Sequence, residues 1–233
     1  MHETLLRHQV ALRLQHSAFR CLLNLSWDTQ NRVAMSERDD LLETIAKSVR
    51  MKALPSVPSV STGDSVGASS SSSSSSNHLL LQTRMFALGT LRNIANTTSP
   101  QQYRLCTTQD GMLLDLLCDI TTHSSEGEDS SIRDKAFAVI FNLVSKDTAV
   151  LLISHSRLVD TLVEAASVHT TLQEAMNISV ESASAMSFRA LNALDGAVAS
   201  SDCPEELRFK VRQAIDRVNE ARRYEEMAVP ELY

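Results

Sequence analysis

Three asparagines occupy the same place in a nine-residue string that recurs along the chain. The strings span residues 18–26, 87–95 and 136–144, and their asparagines are Asn24, Asn93 and Asn142. A carboxamide carries two N–H donors and one acceptor oxygen, so it can pair with a peptide unit whatever side chain that unit bears. A row of such amides would hold a ligand chain extended. The alternative is structural, with each amide bonded to a loop carbonyl of its own repeat.

The recurring string has a fixed form. A small residue is followed four positions later by an aliphatic residue, two positions later by the asparagine, and then by an apolar pair or near-pair. A looser fourth copy covers residues 190–198, with Gly196 in the place of the asparagine. Self-similarity of this kind is typical of proteins built from stacked repeats.

The sequence contains no set of side chains that predicts catalysis or metal binding. The seven histidines form neither a His-x-x-x-His nor a His-Glu-x-x-His pattern, and no glycine pattern fits a phosphate loop. One Gly-x-Ser-x-Gly string, residues 63–67, lies in a serine-rich stretch without the strand and helix that a nucleophile elbow needs. The sequence therefore predicts a protein that is not an enzyme and has no cofactor and no metal site.

Composition and charge narrow the class of protein. Aromatic residues make up only 4% of the chain, and its 233 residues include six Gly and five Pro, which favours helices over sheets. The formal net charge of −6 gives no reason to expect nucleic acid as a partner. Polar residues interrupt the longest apolar-rich segment, residues 149–166, so no membrane span is expected.

The cysteines bear on the cellular compartment. All four are widely spaced, and Cys21 and Cys118 lie inside apolar helical patterns, so buried thiols in a reducing compartment are expected. The N-terminus has neither the basic nor the apolar region of a signal peptide. An intracellular protein is therefore predicted, cytoplasmic or alternatively nuclear.

The periodicity of apolar residues predicts helices along most of the chain, in the repeated order long, short and medium. The predicted divisions are a first repeat over residues 1–52, a disordered serine-rich insertion over 53–78, repeats two to four over 79–200, and a capping helix with a tail over 201–233. A second serine-rich and acidic loop is predicted over residues 121–131.

The strings resemble the third helix of the armadillo repeat. Asn31-Arg32 after the first copy and Asp110-Gly111 after the second match further positions of that family, and HEAT repeats are the nearest similar form. The resemblance implies an all-α chain that folds as a right-handed α-α superhelix of about four repeats, without catalytic residues. It also implies a concave groove, lined by the third helices, in which the asparagines bond an extended peptide of a partner protein.

The helical repeat defines which residues share the face of each asparagine. Positions four before and three after it lie on the same side of a helix. The candidate groove residues are therefore Arg20, Asn24, Trp27, Asn93, Asn96, Asn142, Ser145 and Asn192. Trp27 is an anchor for a partner if it is exposed, but burial in the core is the favoured expectation for this residue. The opposite side should be the interior, with an aliphatic row of Ala18, Leu22 and Leu25, then Ala87, Leu91 and Ile94, then Ala136, Ile140 and Leu143.

Two alternatives to a peptide-binding scaffold remain. The chain could be an incomplete solenoid that serves as a structural piece, with an N-terminal edge at Leu5, Leu6 and Val10 that packs on another chain or on a second copy. It could also be a regulatory target whose serines at 69–76 are modified.

Overall fold

The computed structural model describes residues 2–51, 71–122, 130–167, 182–199 and 203–228, which form helices and turns without a strand. The helices are α1 (His2–Leu25), α2 (Thr29–Ser36), α3 (Asp39–Arg50), α4 (Ser71–Ala95), α5 (Ser99–Thr107), α6 (Met112–Thr122), α7 (Ser130–Leu143), α8 (Ala149–Ser154), α9 (Leu158–Ala166), α10 (Ala183–Ala199) and α11 (Glu205–Ala228). A 3₁₀ turn, Thr108–Gly111, joins α5 to α6. The predicted all-α class is confirmed for these residues.

Local sequence signals explain several helix ends. The carboxylate of Asp28 caps α2 by accepting hydrogen bonds from the backbone N–H groups of Gln30 and Asn31, at 2.9 and 3.0 Å. Pro100 lies in the first turn of α5, where its missing N–H costs nothing. The turn before α6 has positive φ angles at Gln109, Asp110 and Gly111. A chain in this left-handed conformation cannot continue a helix, so α5 and α6 are separate elements.

The long helices α1, α4, α7 and α10 pack side by side in chain order. Neighbouring long helices run parallel, since contacts advance together along both. His16 and Leu23 of α1 meet Phe86 and Gly89 of α4 in that order. The medium helices α3, α6 and α9 form a second row, and each packs on the long helix that follows it. The same packing of a medium helix on the following long helix thus occurs three times in the described residues.

The aliphatic row is buried in two of its three predicted copies. Ala87, Leu91, Ile94, Ala136, Ile140 and Leu143 are each at most 1% exposed, which confirms that part of the prediction. The prediction is wrong for the first copy, because Ala18 and Leu25 are exposed and Leu22 is only half-buried. Phe19 and Leu12 are buried instead. Among the long helices, α1 packs on α4 alone, so only one of its sides faces the core.

The predicted bounds of two loops need correction. Helix α4 begins at Ser71, so residues 71–78 of the predicted disordered insertion are helical, and Ser76 and Leu79 lie against α1. Serine has a moderate helix propensity, so tertiary packing can extend a helix through a serine run. The predicted loop over 121–131 is shorter, because α6 reaches Thr122 and α7 starts at Ser130.

Cys21 is exposed rather than buried, because it lies on the side of α1 that faces away from α4. The other three cysteines are buried, as predicted. Residues 53–70, the string at 63–67 and the side chains of Leu5 and Leu6 lie outside the described part of the chain.

Within the described residues, none of the helices combines the length and the apolar character needed to cross a bilayer. The same residues contain no group of three or more His, Cys, Asp or Glu side chains placed to hold a metal ion.

Candidate functional site

A groove of about 500 Å³ opens where α1, α4 and α7 lie next to one another. Its lining residues are Leu23, Trp27, Gln82, Met85, Phe86, Gly89, Arg92, Asn93, Asn96, Lys135 and Asn142. Four of the predicted site residues, Trp27, Asn93, Asn96 and Asn142, therefore lie together in one groove. They lie on, or directly after, three different long helices, α1, α4 and α7.

The apolar part of the groove is built around two aromatic rings. Trp27 follows the end of α1 and is 72% exposed, so the expectation that it is buried in the core is wrong and its indole is available to a ligand. Phe86 is partly buried, and its ring centroid lies 5.2 Å from that of His16. A Cβ atom on Gly89 would lie 3.0 Å from Cδ1 of Leu23, so the glycine permits the close approach of α1 and α4 beside the groove.

Two asparagines of the recurring string tie neighbouring long helices together. Asn93 donates from Nδ2 to Oγ of Ser26, at 2.9 Å, and Asn142 donates from Nδ2 to the backbone oxygen of Arg92, at 3.0 Å. Each bond reaches the preceding unit rather than a loop of its own repeat. Within the described residues the side-chain oxygens of both amides accept no hydrogen bond, so they remain available to a ligand.

The other four predicted residues lie outside the groove lining. Arg20 and Asn24 are exposed on α1, and the amide of exposed Asn192 donates to the carbonyl of Phe188 in its own helix, at 3.0 Å. Ser145 lies just after α7, where its hydroxyl is 2.9 Å from that of Thr148. Their assignment to a ligand groove stays a prediction.

Sequence reasoning missed the charged and aromatic lining residues. Phe86 and Lys135 stand seven positions before Asn93 and Asn142, which is two helical turns back on the same face. The prediction considered only one turn on each side of the asparagine. Extending the same rule by one turn would have found both residues.

The charge of the groove differs in sign from that of the whole chain. Arg92 and Lys135 line it, and no carboxylate is among the lining residues. The groove thus offers an aromatic surface, amide oxygens and cationic side chains. Apolar and aromatic side chains with a few polar groups among them are typical of ligand-binding sites.

Comparisons of this chain with protein-family models, with curated proteins and with solved structures give no match. The function is therefore inferred from the geometry of the groove itself.

Proposed function

We propose that this chain is a non-enzymatic protein-binding scaffold whose groove holds an extended segment of a partner protein. The observation that carries the proposal is the convergence of Trp27, Asn93 and Asn142 in one open groove. Exposed aromatic side chains beside hydrogen-bonding groups are typical of the central contacts of protein interfaces.

The architecture supports the finer proposal that the chain is an armadillo-type superhelix. Long helices α1, α4, α7 and α10 stack in parallel, and in the described ranges a short and a medium helix lie between each and the next. In such a stack, equivalent positions of successive units line one continuous surface. A ligand that crosses the units would be extended, because it meets one unit after another.

The lining residues indicate the chemistry of the bound segment. An aromatic or large aliphatic side chain of the ligand would pack on Trp27 and Phe86, where apolar contact stabilises binding. The free amide oxygens of Asn93 and Asn142 would accept hydrogen bonds from ligand backbone N–H groups. An acidic side chain would lie near Lys135, since opposite charges favour that placement.

Trp27 provides a direct test, because it is the only tryptophan of the chain. Short peptides that pair an aromatic residue with an acidic one would be screened for a blue shift of its emission. The shift is expected because a ligand would cover an indole that is now 72% exposed. Labelled peptides would then be titrated against the Trp27→Ala variant, which should bind about tenfold more weakly or worse.

The matched control is Tyr103→Ala. Tyr103 is also an exposed aromatic residue, but it lies on α5 and does not line the groove. This variant should bind as the parent does. Equal losses in the two variants, or no peptide that shifts the emission, would overturn the proposed groove function.

A structural role in a larger assembly is the second candidate. The observation in its favour is the row of exposed apolar side chains on α1, at Val10, Leu14 and Leu25. This row lies on a different side of α1 from the residues that line the groove.

A further inference from the structure

Helix α1 carries an apolar face that no described element covers. Val10, Leu14 and Leu25 are 51%, 67% and 53% exposed, and Cys21 is exposed beside them. Their spacings of four, seven and four residues place them along one side of the helix. We refer to these four residues as the outward face of α1.

The register between repeats shows what kind of element fits this face. Asn24 and Asn93 are equivalent positions, so each residue of α1 has its counterpart on α4 69 residues later. The counterparts of Leu14, Cys21 and Leu25 are Thr83, Thr90 and Ile94, and all three are 0% exposed. The outward face of α1 therefore corresponds to a side of α4 that is covered.

Helix α1, which runs parallel to α4, contacts the residues that directly precede Thr83, Thr90 and Ile94. Gln82, Gly89 and Asn93 of α4 contact α1, and their counterparts on α1 are Arg13, Arg20 and Asn24. Asn93 bonds a serine hydroxyl near the end of α1, and Asn142 bonds a carbonyl near the end of α4. By equivalence, Asn24 lacks such a partner and is placed to bond the last turn of a helix parallel to α1.

The charge around the outward face determines what kind of helix would bind there. Arg13 and Arg20 are exposed along one edge of the outward face, and residues 7–27 contain no Asp or Glu. A second copy of α1 packed on this face would bring arginines against arginines. A helix with acidic residues beside its apolar side would instead pair with them.

We propose that the outward face of α1 binds an acidic amphipathic helix of a partner protein, parallel to α1, with its last turn next to Asn24. This interaction is separate from the groove, because the two surfaces share no lining residue. Leu14 and Arg20 carry the apolar and the electrostatic parts of the contact, and Asn24 fixes the register.

The probe is a synthetic helix based on residues 9–27 of the chain itself, because that segment already packs on the equivalent face of α4. The acidic probe has Arg13→Glu, Arg20→Glu and Cys21→Ser, and the control probe keeps both arginines. Each would carry a fluorescent label and be titrated with the full chain by anisotropy. The acidic probe is expected to bind at least about tenfold more tightly than the control probe, by a margin that shrinks in high salt.

Variants of the full chain locate the binding site. Leu14→Lys and Arg20→Glu should each weaken binding of the acidic probe about tenfold, and Asn24→Ala a few-fold. The matched control is Phe209→Lys, since Phe209 on α11 is as exposed as Leu14 but distant in the chain. Trp27→Ala should also leave this binding unchanged, which separates the outcome from that of the groove.

Three results would overturn the proposal. The first is that the acidic and control probes bind equally well. The second is that neither Leu14→Lys nor Arg20→Glu weakens binding of the acidic probe. The third is that sedimentation velocity shows a dimer of the parent chain which Leu14→Lys dissociates. The last result would make a second copy the occupant of the face. Circular dichroism checks that the variants fold, and the exposure of Leu14 and Arg20 predicts that they do.

Discussion

At the scale of single residues, the same side chain in the same position of the recurring string has different surroundings from one copy of the string to the next. Asn93 and Asn142 each donate to a neighbouring helix, whereas Asn24 is exposed and makes no side-chain hydrogen bond within the described residues. A hydrogen bond of this kind contributes about 1 kcal/mol net. At two of its three positions the recurring asparagine thus joins one long helix to the end of the preceding one, and it is also a candidate ligand contact.

The cysteines also differ from one another in burial. Burial raises the pKa of the Cys106 thiol to about 12 and that of the Cys118 thiol to about 11. Cys203 is also buried, but Cys21 is exposed. At about pH 8, a thiol-specific reagent should therefore label Cys21 in the folded chain and the other three only after denaturation. Mass spectrometry of the labelled peptides would measure this, and rapid labelling of Cys106 or Cys118 in the folded chain would contradict it.

The raised thiol pKa values also set a direction for the pH dependence of stability. In the unfolded chain a thiol ionises near about pH 8.5, whereas Cys106 and Cys118 stay protonated in the folded chain up to about 12 and about 11. The contribution of these thiols is fully present below about pH 8.5. Above that pH the unfolded chain loses protons that the folded chain keeps, so the free energy of unfolding falls.

At the scale of helices, cationic side chains from other elements bind the carboxyl ends of several helices. The donor and acceptor pairs are Arg104 with Ser36 and Glu37, Arg84 with Val49, Arg32 with Asn96, Lys210 with Ile153, and Arg222 with Ala166. The last carbonyls of a helix lack partners in the helix and carry partial negative charge. These contacts satisfy them while joining one element to another.

Arg222 gives the sharpest prediction at this scale. Its buried guanidinium donates twice to the carbonyl of Ala166, at 3.0 and 2.8 Å, and lies 4.4 Å from the ring centre of Phe188. Arg222→Met should lower the free energy of unfolding by about 1.5–3 kcal/mol, because it leaves that carbonyl without its charged donor. Urea denaturation would measure the loss.

The conservative variant Arg222→Lys tests the reason. An ammonium group cannot reproduce the planar pair of donors or the stacking on Phe188, so this variant should recover only part of the lost stability. Arg223→Met is the matched control, since Arg223 is exposed on the same helix. Full recovery with lysine would show that charge alone is responsible.

At the scale of the whole molecule, the stacked helices share one continuous core. Buried residues from Phe19 in α1 to Val218 in α11 belong to a single cluster. A change in the middle of this cluster should therefore affect the stability of the chain far more than a change on an uncovered edge.

Ile140 and Leu25 provide that comparison. Ile140 is 0% exposed and Leu25 is 53% exposed, although both were predicted to be in the aliphatic row. Ile140→Ala should cost about 2–5 kcal/mol through lost burial and the cavity left behind. Leu25→Ala should change the free energy of unfolding by less than about 0.5 kcal/mol. Thermal melting measures both, and an unchanged melting temperature for Ile140→Ala would contradict the assignment of the core.

The sequence by itself determined the helices and their faces. The spacing of apolar residues fixes which side of a helix can be buried, because side chains three and four positions apart point the same way. This was sufficient to predict the buried row of α4 and α7 and four residues that lie together in the groove.

Only the tertiary structure decided which of those faces are covered. Leu25 and Cys21 have the periodicity of buried residues, yet they are exposed because no described helix packs on that side of α1. Residues 71–78 have the composition of a loop, yet they are helical where α4 extends beside α1. Whether a helix face is buried depends on the element that packs on it. The local pattern of residues that predicts a helix carries no information about a packing partner that is distant in the chain.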